Sequence, residues 1–346
     1  MLDCSASFGP VYGRSLLRAL VILEFNTMQY KYYICDVFTN KRFGGNQLAV
    51  LPDASGLTDK QMQQIAREFN FSESTFVFPP ENGNTRKVRI FTPSTEVPFA
   101  GHPNIGTAFV LATSGIIGEF YEKTEIVFEE KAGLVPITLH KLDAGSFWCE
   151  LQAPEKITFG KSISVEIFAS AISLAPGKII TDTHPPQIVS VGLPFLIAEV
   201  QDQSALEEAS VNLNGFKKLA ALDIIPDVHI YTRSNDEFDI RARVFAPFDG
   251  VPEDPATGSA NCALGGLLTH YNDESDGNFE WLISQGNEMD RPSSLKARTQ
   301  KKDGKVIKKN GNYAIKVTTE LFDKNKIEKP KIIVIEVFKI AMPTVE

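Results

Sequence analysis

The sequence predicts an α+β protein made of two copies of one domain, in each of which a curled β-sheet wraps a central helix. Three observations carry this reading. The stretch RIFTPSTEVPFAGHPNIGTA from Arg89 to Ala108 returns as RVFAPFDGVPEDPATGSA from Arg243 to Ala260. Both open R-[I/V]-F-[T/A]-P and close P-x-x-G-[S/T]-A, and so long a period means a duplicated domain rather than a solenoid of short repeats. Runs of strand alternate with single helices but lack regular βαβ spacing, which is the α+β pattern. Finally, the helical segments 103–114 and 258–270 are apolar nearly all round, as buried helices are.

The elements follow in order. Tyr30 to Phe38 is aromatic and β-branched and reads as a strand. Gly44 and Gly45 then mark a turn before a second strand, Gln47 to Leu51. Thr58 and Gln61 form a capping box for a helix to about Phe69, with Met62, Ile65, Ala66 and Phe69 as its buried stripe. Thr75–Phe78 and Lys87–Phe91 are strands, and Pro103 suits the first turn of a helix that ends near Gly115. Ile126 to Leu151 is strand-rich. In the second copy, Gln187 to Val200 holds two extended pieces around Gly192 and Pro194. Leu206 to Leu222 is a helix, His229–Thr232 and Asp239–Phe245 are strands, and a helix runs from near Gly258 to about His270. Lys331–Phe338 is a late β-branched strand.

The expected domains are therefore 29–145 and 146–329, with a strand in 330–342 returning to the first. Residues 1–28 are expected to be a little-ordered extension or alternative start. Its apolar run Leu16–Leu23 is broken by Arg18 and too short to span a bilayer, so it makes neither a secretory signal nor an anchor.

The chain has 346 residues, 43% hydrophobic and 23% charged, which suits a soluble globular protein. A formal charge of −8 argues against nucleic acid as a partner. Arg291 to Lys309 is basic and reads as a solvated hairpin or loop. Four scattered cysteines (Cys4, Cys35, Cys149, Cys262) without C-x-x-C spacing point to a reduced, cytoplasmic protein. Five histidines in no H-E-x-x-H pattern give no metal site. Gly160-Lys161-Ser162 is not a phosphate loop, because Glu155 stands where a glycine is required.

Two features bear on chemistry. Gly106-Thr107-Ala108 and Gly258-Ser259-Ala260 are placed at helix starts, where free first-turn amides can dock a carboxylate. The competing reading is a tight helix-to-strand contact that needs small residues. Glu73 lies in the polar run Asn70–Ser74 between a capped helix and an apolar strand. As a surface carboxylate it would do nothing. Buried beside His102 and Asp254, it would have a raised pKa and serve as a general acid or base.

FNFSESTFVF (69–78), FTPSTEVPFAGHPNIGTA (91–108) and GVPEDPATGSA (250–260) resemble signature segments of the phenazine-biosynthesis PhzF-like isomerase family, of the diaminopimelate-epimerase-like fold. DVFTNKRFGGNQLAV (36–50), GLPFLIA (192–198) and QGNEMDRPS (285–293) extend the resemblance from about Tyr30 to the C-terminus. It implies a duplicated two-domain fold with the active site in the interdomain cleft, commonly a homodimer. It also implies cofactor-free proton transfer on a small carboxylate substrate. Glu73 matches the glutamate that shuttles the proton, and His102 and Asp254 match its polar companions. Gly101, Gly258, Ser259 and Asn46 fall at substrate-binding positions. Gln47, Asn261-Cys262 and Asp290 depart from the family pattern, which bears on pocket shape and substrate rather than on reaction type.

Two rival functions differ in chemistry. An amino-acid epimerase or racemase needs a thiol at each helix mouth, but those positions hold Gly101-His102 and Asp254, and Cys262 falls beyond the helix start. A non-catalytic binding or scaffold protein would have no use for Glu73, His102 and Asp254 together, since burying charge is costly.

Overall fold

The structure is a computed structural model describing residues 27–119, 121–142, 147–224, 227–307, 316–319 and 338–341, the last two segments as backbone. The expected extension as far as residue 26, Lys331–Val337, Lys308, Lys309 and Cys4 lie outside the described residues. The chain divides into two compact units. The smaller takes in Thr27–Gln29 and Phe338–Ala341, from the two-stranded sheet of Thr27–Tyr30 and Phe338–Ala341; the larger spans Tyr30–Val337.

Six α-helices are described: α1 (Asp59–Phe69), α2 (Gly101–Thr113), α3 (Val165–Ala171), α4 (Gln203–Glu208), α5 (Leu213–Ala221) and α6 (Gly258–Tyr271). The Thr58–Gln61 capping box opens α1; Met62, Ile65 and Ala66 are buried, and half-buried Phe69 tilts onto Tyr32. The single helix expected over Leu206–Leu222 is two helices. Asn212 turns its side-chain oxygen to the N–H groups of Asn214 and Gly215 and restarts the chain as α5. The restart seats Gly215 against α3, where a Cβ would lie 2.3 Å from the Ser170 carbonyl oxygen.

The strands repeat step for step. Tyr33–Val37 pairs antiparallel with Asn46–Leu51, which runs parallel to Glu73–Phe78; that strand is antiparallel to Arg86–Phe91. After α2, Lys123–Glu130 runs parallel to Arg86–Phe91 and folds back on Gly133–Lys141. The second half repeats the series with Gln187–Ser190, Pro194–Val200, Val228–Arg233, Ile240–Ala246, α6 and the hairpin Gly277–Gln285/Ser293–Lys302. Each sheet curls round its own buried central helix, α2 or α6, as the sequence predicts. Phe147–Gln152, just past the expected 145/146 boundary, pairs with Gly133–Lys141 on one side and Lys316–Thr319 on the other. One apolar core runs through both halves around α2 and α6, and a second lies under α3, α4 and α5.

The shared P-x-x-G-[S/T]-A ending sets His102, before Pro103, level with Asp254, before Pro255; strand register aligns the halves differently. Ile90 pairs with Val97 as Val244 pairs with Asp254, so the counterpart of Asp254 is Val97, not His102. Each central helix opens with G-x-x-N: Gly101-His102-Pro103-Asn104 in α2, Gly258-Ser259-Ala260-Asn261 in α6. Both asparagines donate 3.0 Å hydrogen bonds back to the carbonyl before the helix, at Ala100 and Thr257. His102 is thus the counterpart of Ser259. Pro103 is accepted inside the first turn, where no N–H partner is needed, so α2 starts ahead of the repeated motif. Gly106-Thr107-Ala108 therefore lies in the second turn. Its glycine serves packing: a Cβ there would meet Leu48 at 2.5 Å and Val37 at 2.8 Å. The tight-contact reading holds for the first copy and the helix-start reading for the second.

The basic stretch is a hairpin, Ser293–Lys302 against Lys305–Ile307, one of the two forms expected of it. Lys301 is buried and donates to the carbonyls of His270 and Asn272, favourable at the negative end of α6. Among the described residues no helix is long and apolar enough to cross a membrane.

Candidate active site

Three distant residues meet at the mouths of the two central helices. Asn70, in the left-handed region at φ 53°, ends α1 and turns the chain so that Glu73 begins its strand. His102 is the second residue of α2, and Asp254 ends the strand Val251–Asp254. His102 Nε2 faces Glu73 Oε2 at 3.6 Å. Both atoms are enclosed and neither holds a hydrogen bond. The Glu73 side chain stays 19% exposed against 5% for His102, so the pair can be approached from the glutamate's side.

Asp254 is held from four directions. It accepts from Asn46 Nδ2 (2.9 Å), Ser72 Oγ (3.0 Å) and Thr257 Oγ1 (2.5 Å), while Gln285 Nε2 donates to its main-chain carbonyl (2.8 Å). Asn46, matched to a substrate-binding position, is 1% exposed. Its amide nitrogen is engaged by Asp254, by the Ala256 carbonyl at 3.0 Å and by His102 Nδ1 at 3.3 Å.

This setting moves the titrations apart. Burial first, then repulsion from Asp254 and Asp249, pushes Glu73 up to about 8. Burial holds His102 down to about 3, outweighing a backbone hydrogen bond at Gln47. Asp254 is raised by burial, against the donors Thr257, Ser72 and Asn46. At neutral pH the site therefore presents a largely protonated Glu73 to a neutral imidazole.

The register adds Asp227, which the sequence reading missed. Ser74 pairs with Phe91 as Val228 pairs with Phe245, so Asp227 is the counterpart of Glu73. Burial, then Asp249 and Asp254, raises it to about 7. A signal existed: Asp227 stands as far before Phe245 as Glu73 before Phe91. Ser72, Thr257 and Gln285 were also missed, being ordinary polar residues until folded against Asp254.

The two helix mouths lack side-chain caps. Thr58, Ser164, Asp202 and Asn212 each cap a peripheral helix through the side chain. The residues before α2 and α6, Ala100 and Thr257, do not, which leaves first-turn amides for a ligand. A Cβ on Gly101 would lie 3.5 Å from the Ser259 nitrogen and 3.7 Å from Gly258 Cα, so the mouths face each other closely. Beside them Phe38, Phe99, Ile105, Leu151, Ala153 and Cys262 line an apolar pocket that also includes Gly101, Gly258 and Ser259. A carboxylate on an apolar body suits this arrangement.

The profile of PhzC-PhzF, phenazine biosynthesis-like proteins, matches residues 35–318. The chain belongs to this family. It is 35% identical over 295 residues to an uncharacterized isomerase of Mesorhizobium japonicum, covering 83% of this chain and 96% of that protein. It is 34% identical over 289 residues to the trans-2,3-dihydro-3-hydroxyanthranilate isomerase of Pseudomonas aeruginosa, covering 82% and 96%. The Bacillus anthracis phenazine biosynthesis protein of the PhzF family superposes with a TM-score of 0.73 at 24% identity, over 84% of this chain and 96% of that one, which shows the shared fold. The chain is an isomerase of the phenazine biosynthesis-like family.

The cysteines of this phenazine biosynthesis-like chain are poorly placed for a two-thiol epimerase. Cys35, Cys149 and Cys262 are buried, and burial raises each thiol above its usual range. Cys262 borders the pocket, but the positions at the two helix mouths are His102 and Ser259.

Proposed function

We propose that this chain isomerises a small cyclic or unsaturated carboxylate by moving one proton between two carbons, with Glu73 as carrier. The observation that carries the reading is the enclosed Glu73–His102 pair, its facing atoms 3.6 Å apart and neither hydrogen-bonded, at uncapped helix mouths. First-turn amides at Gly101 and Gly258–Ser259 bind the substrate carboxylate, and its ring or chain packs on the apolar side chains beside them. Glu73 gives its proton to one carbon of the conjugated system, and its carboxylate takes a proton from another, shifting the double bond. Atoms and electrons balance within the substrate, so the step calls for no cofactor. A carboxyl poised near 8 does both halves of such a transfer near neutral pH. His102 packs against Glu73 and orients it, and burial together with the Asp254 charge keeps its proton affinity high.

Trans-2,3-dihydro-3-hydroxyanthranilate, named for the Pseudomonas aeruginosa relative, is the first compound to test. In heavy water the wild type should place deuterium on one of its carbons, and Glu73→Gln should abolish that. Exchange that survives Glu73→Gln would end the proposal for Glu73. Wild-type inactivity across a panel of unsaturated carboxylates would favour a scaffold. A homodimer in the cytoplasm belongs to the same reading, and sedimentation equilibrium tests the dimer.

A further inference from the structure

The second half braces its helix mouth with one fully used amide. Gln285, 0% exposed, donates from Nε2 to the Asp254 carbonyl (2.8 Å) and to Thr257 Oγ1 (3.1 Å). Its Oε1 accepts from Thr257 N (3.1 Å) and Asn261 Nδ2 (2.7 Å). Donor and acceptor together fix the turn between Asp254 and the start of α6.

Strand register assigns the same place in the first half to Glu130. Arg241 pairs with Ser284 and Ala242 with Gln285; Lys87, the counterpart of Arg241, pairs with Glu129, which puts Glu130 where Gln285 stands. Both residues end the strand beside the R-[I/V]-F strand. Both also follow the core-facing alternation of their strands, Phe128 then Glu130 and Ile283 then Gln285. Each also stands by the fourth residue of a central helix: Gln285 accepts from Asn261 Nδ2 in α6, and Asn104 of α2 lies near enough to the Glu130 carboxyl to oppose its raised pKa without closing a hydrogen bond.

Their chemistry differs in one respect. An amide has a donor and an acceptor, a carboxylate only acceptors, and a carboxylic acid again has both. Both carboxyl oxygens of Glu130 and Oδ1 of Asn104 are enclosed without a hydrogen bond, although Asn104 is 0% exposed. Three enclosed acceptors together are costly. One proton on Glu130 provides the missing donor and makes its carboxyl the shape and polarity of Gln285's amide.

We propose that Glu130 carries a proton at neutral pH and, as a neutral carboxyl, braces Asn104 and the first turn of α2, making it a positioning residue for His102. Burial agrees, pushing Glu130 up to about 8 with only Asn104 opposing. From α2 the facing residue is Asn104. Of its chain neighbours, Glu129 accepts from the main-chain N–H groups of Glu81, Asn82 and Asn84, and Lys131 is 66% exposed near Glu96. The link to catalysis rests on the reading of Glu73 and His102 above; the proton on Glu130 does not.

Infrared difference spectra of the full chain between about pH 6 and pH 9.5 test the proton. The protonated-carboxyl band lost on raising the pH should be smaller in Glu130→Gln than in the wild type by one carboxyl, and the Glu130 component should persist in Glu73→Gln, with Glu73 and Asp227 accounting for the rest. Thermal unfolding tests the brace. Glu130→Gln should match the wild type near pH 7 and exceed it near pH 9.5, because the amide keeps its donor. Glu130→Ala should be less stable at both and lose about tenfold or more of the proton exchange, which Glu130→Gln should restore. An unchanged band in Glu130→Gln, or equal destabilisation by the Gln and Ala variants near pH 7, overturns the proposal. If the band behaves as stated while exchange survives Glu73→Gln, the Glu73 mechanism fails and the Glu130 brace stands.

Discussion

Asn46 and Asp254 are 208 positions apart, yet Asn46 Nδ2 donates to Asp254 Oδ1 at 2.9 Å. The same nitrogen reaches the Ala256 carbonyl at 3.0 Å and His102 Nδ1 at 3.3 Å. One buried amide thus ties the first half's histidine to the second half's aspartate.

Asn46→Ala should therefore cost more than an ordinary polar deletion. It leaves a buried carboxylate and carbonyl short of a donor, about 1–3 kcal/mol in stability. It also loosens His102 against Asp254, and a misplaced reacting group loses roughly tenfold to a hundredfold in rate. Chemical denaturation and deuterium exchange measure the two effects; a variant equal to wild type in both would show that the tie is dispensable.

The pH dependence has a definite sign. Glu73 rises from 4.5 to about 8 on folding, so its stabilisation is full below the unfolded value and is lost as the pH climbs toward and through 8. His102 falls from 6.5 to about 3, so its contribution is full above the unfolded value and is lost as the pH drops toward 3. His229, also buried and held to about 3, adds to the acid limb. Glu73→Gln should consequently gain stability relative to wild type between pH 6 and pH 9, read as the difference in unfolding midpoint. A constant difference across that range would show that Glu73 titrates normally.

Gly106→Ala tests the packing role given to this glycine. Its Cβ would meet Leu48 at 2.5 Å, Val37 at 2.8 Å and Cys35 at 3.2 Å, all side chains in the core. Overpacking costs about 1–3 kcal/mol and alanine returns about 1 kcal/mol of helix propensity. A net loss of up to about 2 kcal/mol is expected. Gly106→Val should lose considerably more, whereas Gly115→Ala meets no atom within 4 Å and suffers only its positive φ.

Thiol labelling should leave activity intact. Cys35, Cys149 and Cys262 are at most 9% exposed, and their raised pKa values keep the nucleophilic thiolate scarce. Brief iodoacetamide treatment of the folded protein, followed by mass spectrometry and a deuterium-exchange assay, should show little modification at these three positions and undiminished exchange. Rapid loss of exchange in step with Cys262 labelling would revive a thiol mechanism.

Much of the fold was legible because its signals are local. The Thr58–Gln61 box, the aromatic and β-branched run Tyr30–Phe38 and the apolar faces of α2 and α6 each lie within a few residues of one another. Glu73, His102 and Asp254 were legible as a set because three motifs surround them, and the fold brings them together. The breaks came where neighbours are remote in sequence. Leu206–Leu222 splits because Gly215 must approach Ser170. Asp227, Glu130 and Gln285 acquire meaning only through strand register.

By itself the chain's order of residues determined the duplication, the two buried helices and the three side chains proposed to carry the chemistry, because periodicity and repeats need no knowledge of contacts. Only the tertiary structure decided that His102 corresponds to Ser259, that Asn46 spans the two halves and that Glu73 holds its proton. Helix starts are fixed by where strand pairing delivers the backbone. A carboxyl's proton affinity is fixed by how much water and charge surround it, and both belong to the folded neighbourhood.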